Sequence, residues 1–300
     1  MRNMLDICCV GHITLDKVVT PQMEVFMPGG TSYYFSNAML GMQLKYRLIT
    51  CLAEKEMHFV KELQGKGIDI LAYTCPHTVY FENIYPENQD HRIQHVLQTA
   101  DPFFPEQFQD VKAAIFHLGP LLANDIPESV VLDLATRGKL SLDVQGYLRS
   151  VQNHKVYPVD WINKNDILPY IHYLKANETE MEKLTGQQDV YAGAKMLSDW
   201  GVKEVVITLG SKGSVIYAGN EFYAIPAYLP EKVVDATGCG DTYMAGYLYQ
   251  RWKGVPITQA GNFAAAMATL KIQSSGPFTG SPTDVFSRMQ AGIGLSVIPS

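Results

Sequence analysis

The chain has 300 residues, with 24 Lys and Arg against 30 Asp and Glu, a net charge of −6 and 18% charged residues, below the roughly 25% usual in soluble domains. A hydrophobic fraction of 47% excludes a disordered chain, and the lack of a basic excess disfavours nucleic acid as a partner. The five cysteines form no CxxC pair, no run of 18 apolar residues occurs, and the first apolar run stops at Gly11-His12; a disulfide framework, a membrane span and a secretory leader are therefore not expected, and the expected location is cytoplasmic.

In chain order, residues 5–10 are an apolar run ending at glycine, the pattern of a buried parallel strand. Gly29 and Gly30 then open a helical pattern, followed by a strand over 47–52 and an amphipathic helix over 54–67. Residues 72–98 carry β-prone runs around a polar tip at 86–90, which reads as an excursion from the main sheet; residues 12–28 supply a second strand pair of the same kind. Strand and helix then alternate: strands at 113–117, 140–143, 171–175 and 205–209, helices at 126–136 and 191–200. This alternation predicts one α/β domain over 1–300, in three layers, with a mostly parallel central sheet, helices on both faces and a small β-sheet lid from about 12–28 and 72–98. In such folds ligands lie beyond the carboxyl ends of the strands.

The most informative segment is Asp235-Ala236-Thr237-Gly238-Cys239-Gly240-Asp241, which runs directly into a helical pattern. A helix start preceded by glycines offers free N–H groups and a positive dipole end, an anion site suited to a moving phosphoryl group. A carboxylate there, Asp241, can take the proton of an acceptor hydroxyl. Taken alone, the same residues also fit a plain helix cap after a tight turn. A Walker A loop is absent, and the dinucleotide fingerprint lacks its third glycine, which counts against a nicotinamide-dependent oxidoreductase.

The segment resembles the Gly-small-Gly-Asp signature of the ribokinase-like (PfkB) carbohydrate kinases, with the hydroxyl residue displaced by one place at Ala236-Thr237. Four further segments resemble that family in order and spacing: residues 10–16 ending at Asp16, Pro28-Gly29-Gly30, Asn177-Glu178-Thr179-Glu180 and residues 208–213. The resemblance implies a phosphotransferase using ATP and Mg²⁺. Asp241 would be its base and the amides of Gly238, Cys239 and Gly240 its anion hole. It implies that Asp16, Gly29 and Gly30 face the acceptor, that Asn177 and Glu180 organise Mg²⁺ through water, and that Thr208, Gly210 and Gly213 line ATP. Asp235 would hold a monovalent cation such as K⁺. Separately from the resemblance, Asn177 and Glu180 also have the spacing of a capping pair, and Gly213 that of a turn glycine. Cys239 reads as a small residue fitting the loop rather than a nucleophile.

The acceptor that the resemblance implies is a small sugar, sugar acid or polyol, with a lean toward inositol-like compounds because residues 29–34 and 143–149 resemble inositol-kinase-like members. A nucleoside kinase and a non-catalytic sugar- or nucleotide-binding regulator are the alternatives. Where many sugar kinases carry an Asn after the di-glycine this chain has Tyr33, with Asn37 one turn later; Arg149 fits either an anionic substrate group or the surface. His91 and His95 read as lid residues rather than metal ligands. A lid that excludes water from the acceptor would also offer an exposed strand edge for a homodimer.

Overall fold

The structure, a computed structural model, describes residues 4–84 and 93–292. Its first half contains β1 (Leu5–Val10), β2 (Thr14–Val19), β3 (Glu24–Gly29), α1 (Thr31–Ala38), β4 (Tyr46–Leu52), α2 (Met57–Gly65), β5 (Asp69–Thr74), β6 (Tyr80–Ile84), β7 (Ile93–Gln98), β8 (Ala113–Leu118), α3 (Glu128–Ala135) and β9 (Lys139–Asp143). There follow β10 (Arg149–Gln152), β11 (Lys155–Pro158), α4 (Lys164–Ile167), β12 (Ile171–Asn177), α5 (Glu178–Thr185), α6 (Val190–Asp199), β13 (Glu204–Thr208), β14 (Ser214–Ala218), β15 (Glu221–Ile225), α7 (Cys239–Trp252), α8 (Ile257–Ile272) and α9 (Pro282–Gln290).

Nine strands form the central sheet in the order β15-β14-β13-β12-β9-β8-β1-β4-β5. The pairs from β13 through to β5 are parallel, and β14 and β15 add an antiparallel hairpin at one edge. The chain winds outward from β1 to β5, then returns to β8 and winds the other way. The strand order therefore reverses between β1 and β8, the place where α/β sheets open a crevice.

Strand β1 shows why its apolar run is unbroken. Ile7 and Cys9 pack among Phe35, Tyr247 and Phe263 on one face, while Cys8 and Val10 pack among Phe116, Val130 and Leu197 on the other. A strand buried on both faces cannot alternate with polar residues. Helix ends follow local chemistry: Asp189 caps α6 by accepting from the amides of Tyr191 and Ala192, and Ser281 with Pro282 and Asp284 forms a capping box on α9.

A second, six-stranded sheet has the order β10-β11-β7-β6-β2-β3. It rests on a small apolar cluster of Val79, Phe81, Val96, Leu121 and Leu122. Residues 14–19 and 24–29 lie in it, as do the β-prone runs on either side of 86–90. The tip 86–90 itself and His91 lie outside the described residues. Two points differ from the sequence reading. Tyr73 and Thr74 belong to β5 of the central sheet, paired with Cys51 and Leu52. The smaller sheet also takes β10 and β11, which the sequence reading did not mark; they are four residues each and largely polar, too short for a clear alternation. Pro28 is tolerated because β3 is the edge strand.

The hairpin β14–β15 depends on Gly213. Its φ is +98°, and a Cβ there would overlap the Ile225 carbonyl oxygen. Gly213→Ala is expected to lower stability by about 2 kcal/mol or more. A denaturation midpoint equal to wild type would contradict this account of the hairpin.

Candidate active site

Helix α7 begins where the residue spacing predicts it. Gly238 is its N-cap, in the left-handed region at φ 74°, and the ring of Tyr34 lies where a Cβ would project. Gly238 and Gly240 line a cavity of about 760 Å³, together with Asp241. Cys239 does not. Its N–H donates to the Ala236 carbonyl at 3.2 Å, and its Sγ lies 3.8 Å from the Ala268 carbonyl and 4.0 Å from that of Asp235. One of the three amides expected in an anion hole is therefore already committed. Burial pushes the Cys239 thiol up to about 11, so it is protonated at neutral pH.

Asp241 sits in the first turn of α7, half-buried on the cavity wall. Its carboxyl is pushed up to about 7, first by desolvation and then by the charge of Asp143, against the opposing pull of Lys175 and a hydrogen bond from Thr31. Lys175 is buried; its Nζ lies 3.0 Å from Asp143 Oδ2 and 3.7 Å from Glu180 Oε2. Burial alone would lower its pKa, but Asp143, Glu180 and Asp241 raise it, so the ammonium stays charged. A Cβ at Gly240 would stand 3.3 Å from Lys175 Nζ, which puts this ammonium directly beneath the glycine loop. Lys175 and Asp143 were not assigned roles from sequence, although each ends or nearly ends an apolar strand. They meet because β12 and β9 pair in the register Lys175↔Asp143.

One cavity brings together Asp16 and Gly30 with Asn177, Thr208, Asp235 and Asp241. Asp16 Oδ1 accepts from Thr14 Oγ1 at 2.6 Å, and Gly29 lies so close that a side chain there would collide with the Asp16 carboxylate. Gly29, Gly210 and Gly213 do not line the cavity; Gly210 and Gly213 shape the turn before β14. Tyr33 and Asn37 are also absent from its wall, and the Asn37 amide donates to the Tyr33 carbonyl at 2.8 Å within the helix. Arg149, Gln145, Asn83 and Gln94 line the cavity instead. His95 is on β7, with Nδ1 3.2 Å from Glu82 Oε2.

Asn177 and Glu180 form a reciprocal capping box on α5: Asn177 Oδ1 accepts from the Glu180 N–H and Glu180 Oε2 accepts from the Asn177 N–H, each at 2.8 Å. Among the described residues no group of three or more His, Cys, Asp and Glu could hold a metal. Asn177 lines the cavity, whereas Glu180, the other half of the cap, does not; Mg²⁺ keeps several of its own waters and can be held through them by one or two such oxygens.

Comparison with known proteins agrees with this geometry. The chain is 30% identical over 275 residues to a cytidine kinase of Thermococcus kodakarensis, covering 85% of this chain and 92% of that protein. It is 26% identical over 302 residues to a nucleoside kinase of Methanocaldococcus jannaschii, covering 94% and 95%. Among solved structures, a pyrophosphate-dependent kinase in the ribokinase family, complexed with a pyrophosphate analog and myo-inositol, matches with a TM-score of 0.83 and 26% identity over 94% of this chain and 99% of that one. The model of the pfkB family carbohydrate kinases matches residues 35–284. A nine-stranded α/β sheet, a second smaller sheet and a phosphate-type helix start thus agree with the matched family: the chain is a phosphotransferase of the pfkB family of carbohydrate kinases.

Proposed function

We propose that this kinase transfers the γ-phosphoryl group of ATP to a hydroxyl of a small sugar, sugar acid or polyol. The observation that carries the reading is the single cavity running from Asp16 to Asp241, Asn177 and Thr208. Its volume of about 760 Å³ has room for a small acceptor and phosphates beside Asp241. Asp241 takes the proton of the attacking hydroxyl while the new P–O bond forms and the bond to the ADP oxygen breaks. The amides of Gly238 and Gly240 and the α7 dipole receive the charge on the moving phosphoryl group; the loss of one such donor typically costs about 100- to 1,000-fold in rate. Mg²⁺ would be held through water by Asn177 at the cavity wall and by Glu180 behind it, and would supply charge neutralisation to the phosphates.

Lys175 tunes the base. With Asp143, Glu180 and Asp241 around it, this ammonium is what allows Asp241 to ionise near neutrality. A base must match the working pH to be both unprotonated and strong enough, and about 7 meets that requirement.

At the acceptor end, Asp16, Asn83, Gln94 and Arg149 offer the polar lining that a polyhydroxy compound needs. The likeness to a kinase complexed with myo-inositol supports an inositol-like acceptor. A nucleoside is the second reading, favoured by Tyr34 and Phe81 in the same cavity, two aromatic rings able to stack on a base, and by the likeness to a cytidine kinase. A non-catalytic regulator has no use for Asp241 at this position. The smaller sheet supports a further reading as a homodimer interface, since its edge strand β3 exposes Phe26 at 55%.

Three measurements test these proposals. ADP release is screened against hexoses, ribose, sugar acids, inositols and nucleosides, with orthophosphate release read in parallel where pyrophosphate replaces ATP as donor; turnover of inositols or sugars is expected, and Asp241→Asn is expected to lose at least about 1,000-fold. Full turnover by Asp241→Asn would remove the base assignment. In the pH profile, kcat/KM should rise with pH and reach half its plateau near 7. Lys175→Met should move that midpoint upward, because three carboxylates then face one another without a cation; an unchanged midpoint would deny Lys175 this role. For assembly, light scattering should give a dimer for wild type and a monomer for Phe26→Glu, and a wild-type monomer would end the dimer proposal.

A further inference from the structure

The residue expected to hold K⁺, Asp235, already has a cation. Lys271, in the last turn of α8, has no exposed surface, and its Nζ lies 2.7 Å from the Asp235 backbone oxygen and 3.2 Å from Asp235 Oδ2. Asp235 Oδ1 accepts from the Thr237 N–H at 2.9 Å, so both carboxylate oxygens are engaged. The ammonium also stands 5.9 Å from the centre of the Tyr34 ring, the same ring that packs over Gly238. Around this pair the loop is tied to α8: the amides of Val234 and Asp235 donate to the Ile272 carbonyl at 2.8 and 3.2 Å. Burial tends to raise the Asp235 carboxyl, but the Thr237 amide and the Lys271 charge outweigh it and hold the group below its usual range.

These residues do not fit a bound K⁺. The ion would need the carbonyl and carboxylate oxygens that Lys271 occupies, and it would sit against a buried like charge with little solvent to screen it. We propose that Lys271 is a tethered replacement for the monovalent cation: its ammonium neutralises Asp235 and fixes the loop that presents Gly238 and Gly240, so that this kinase needs no K⁺. The proposal rests on reading that loop as the phosphoryl site. Covalent attachment at the end of a buried helix makes the cation permanent, so the loop is held whatever the ionic composition of its surroundings.

The test compares chloride salts of potassium, sodium and tetramethylammonium at equal ionic strength, the last being too large to enter. Two readouts are taken: turnover, and the melting temperature without nucleotide. Wild type should give turnover within about twofold in all three salts and a melting temperature that does not rise in K⁺, since an ion that binds the folded state raises it. Lys271→Ala removes the charge and opens space. In tetramethylammonium it should melt lower and turn over at least about tenfold slower, and K⁺ or methylammonium should restore part of both. Lys271→Met fills the space without charge and should lose turnover without recovery in either ion. A wild-type enzyme activated several-fold by K⁺, or melting higher in it, would overturn the proposal; so would Lys271→Met with wild-type turnover and melting temperature. If the variants do not fold, the wild-type comparison decides alone. If no acceptor is turned over in any salt, the functional reading fails, and the melting comparison still decides whether a cation binds.

Discussion

Four charged groups meet under the glycine loop: the Lys175 ammonium with the carboxylates of Asp143, Glu180 and Asp241. They come from the ends of β9 and β12 and from the first turns of α5 and α7, so the contact needs the central sheet in register and both helices seated. At about 3 Å a single pair attracts by roughly 5 kcal/mol in a medium of effective dielectric 20, but one cation cannot satisfy three anions. The protonation of Asp241 relieves that imbalance. Its raised pKa comes first from burial at the start of α7 and then from the nearby charge of Asp143, while Lys175 pulls the other way and holds it near 7.

The same imbalance has a cost in the fold. The folded chain holds a proton on Asp241 up to about pH 7, while the unfolded chain releases it near 4, so between those values the folded state binds more protons and stability falls as pH rises. Apolar burial on both faces of the sheet offsets this. A strand such as β1, buried on both sides, fixes the crevice at the strand-order reversal whether or not the site is charged.

What the sequence disclosed was what lies close along the chain. The 235–241 run announces a helix start with a carboxylate, and Asn177 with Glu180 announces a cap; in space these remain local, one as α7 and one as the α5 capping box. The pairs that set the site's electrostatics are long-range. Lys175 and Asp143 are 32 residues apart, and Lys271 and Asp235 are 36 apart. A lysine inside a largely buried strand, and another on the largely buried helix α8, are the signals available, but neither names its partner until strand register and helix seating are known. The central sheet was legible from its apolar runs. The boundary of the smaller sheet was not, since Tyr73 and Thr74 suit either sheet and only pairing with Cys51 and Leu52 assigns them.

Mild acidity over the whole chain and an anionic donor are compatible because the cations that matter are buried and fixed. An exposed lysine such as Lys212, 3.7 Å from Glu178 with most of its side chain in water, is screened by salt and contributes little. Lys175 and Lys271 are each committed to carboxylates, so neither projects a bare positive charge into the cavity. They cancel negative charge beside the loop, which on the proposed reading leaves the backbone amides and the α7 dipole as the field a phosphoryl group meets. Oriented amides reward an oxygen placed at the loop, whereas an uncompensated ammonium would bind any anion that reached it.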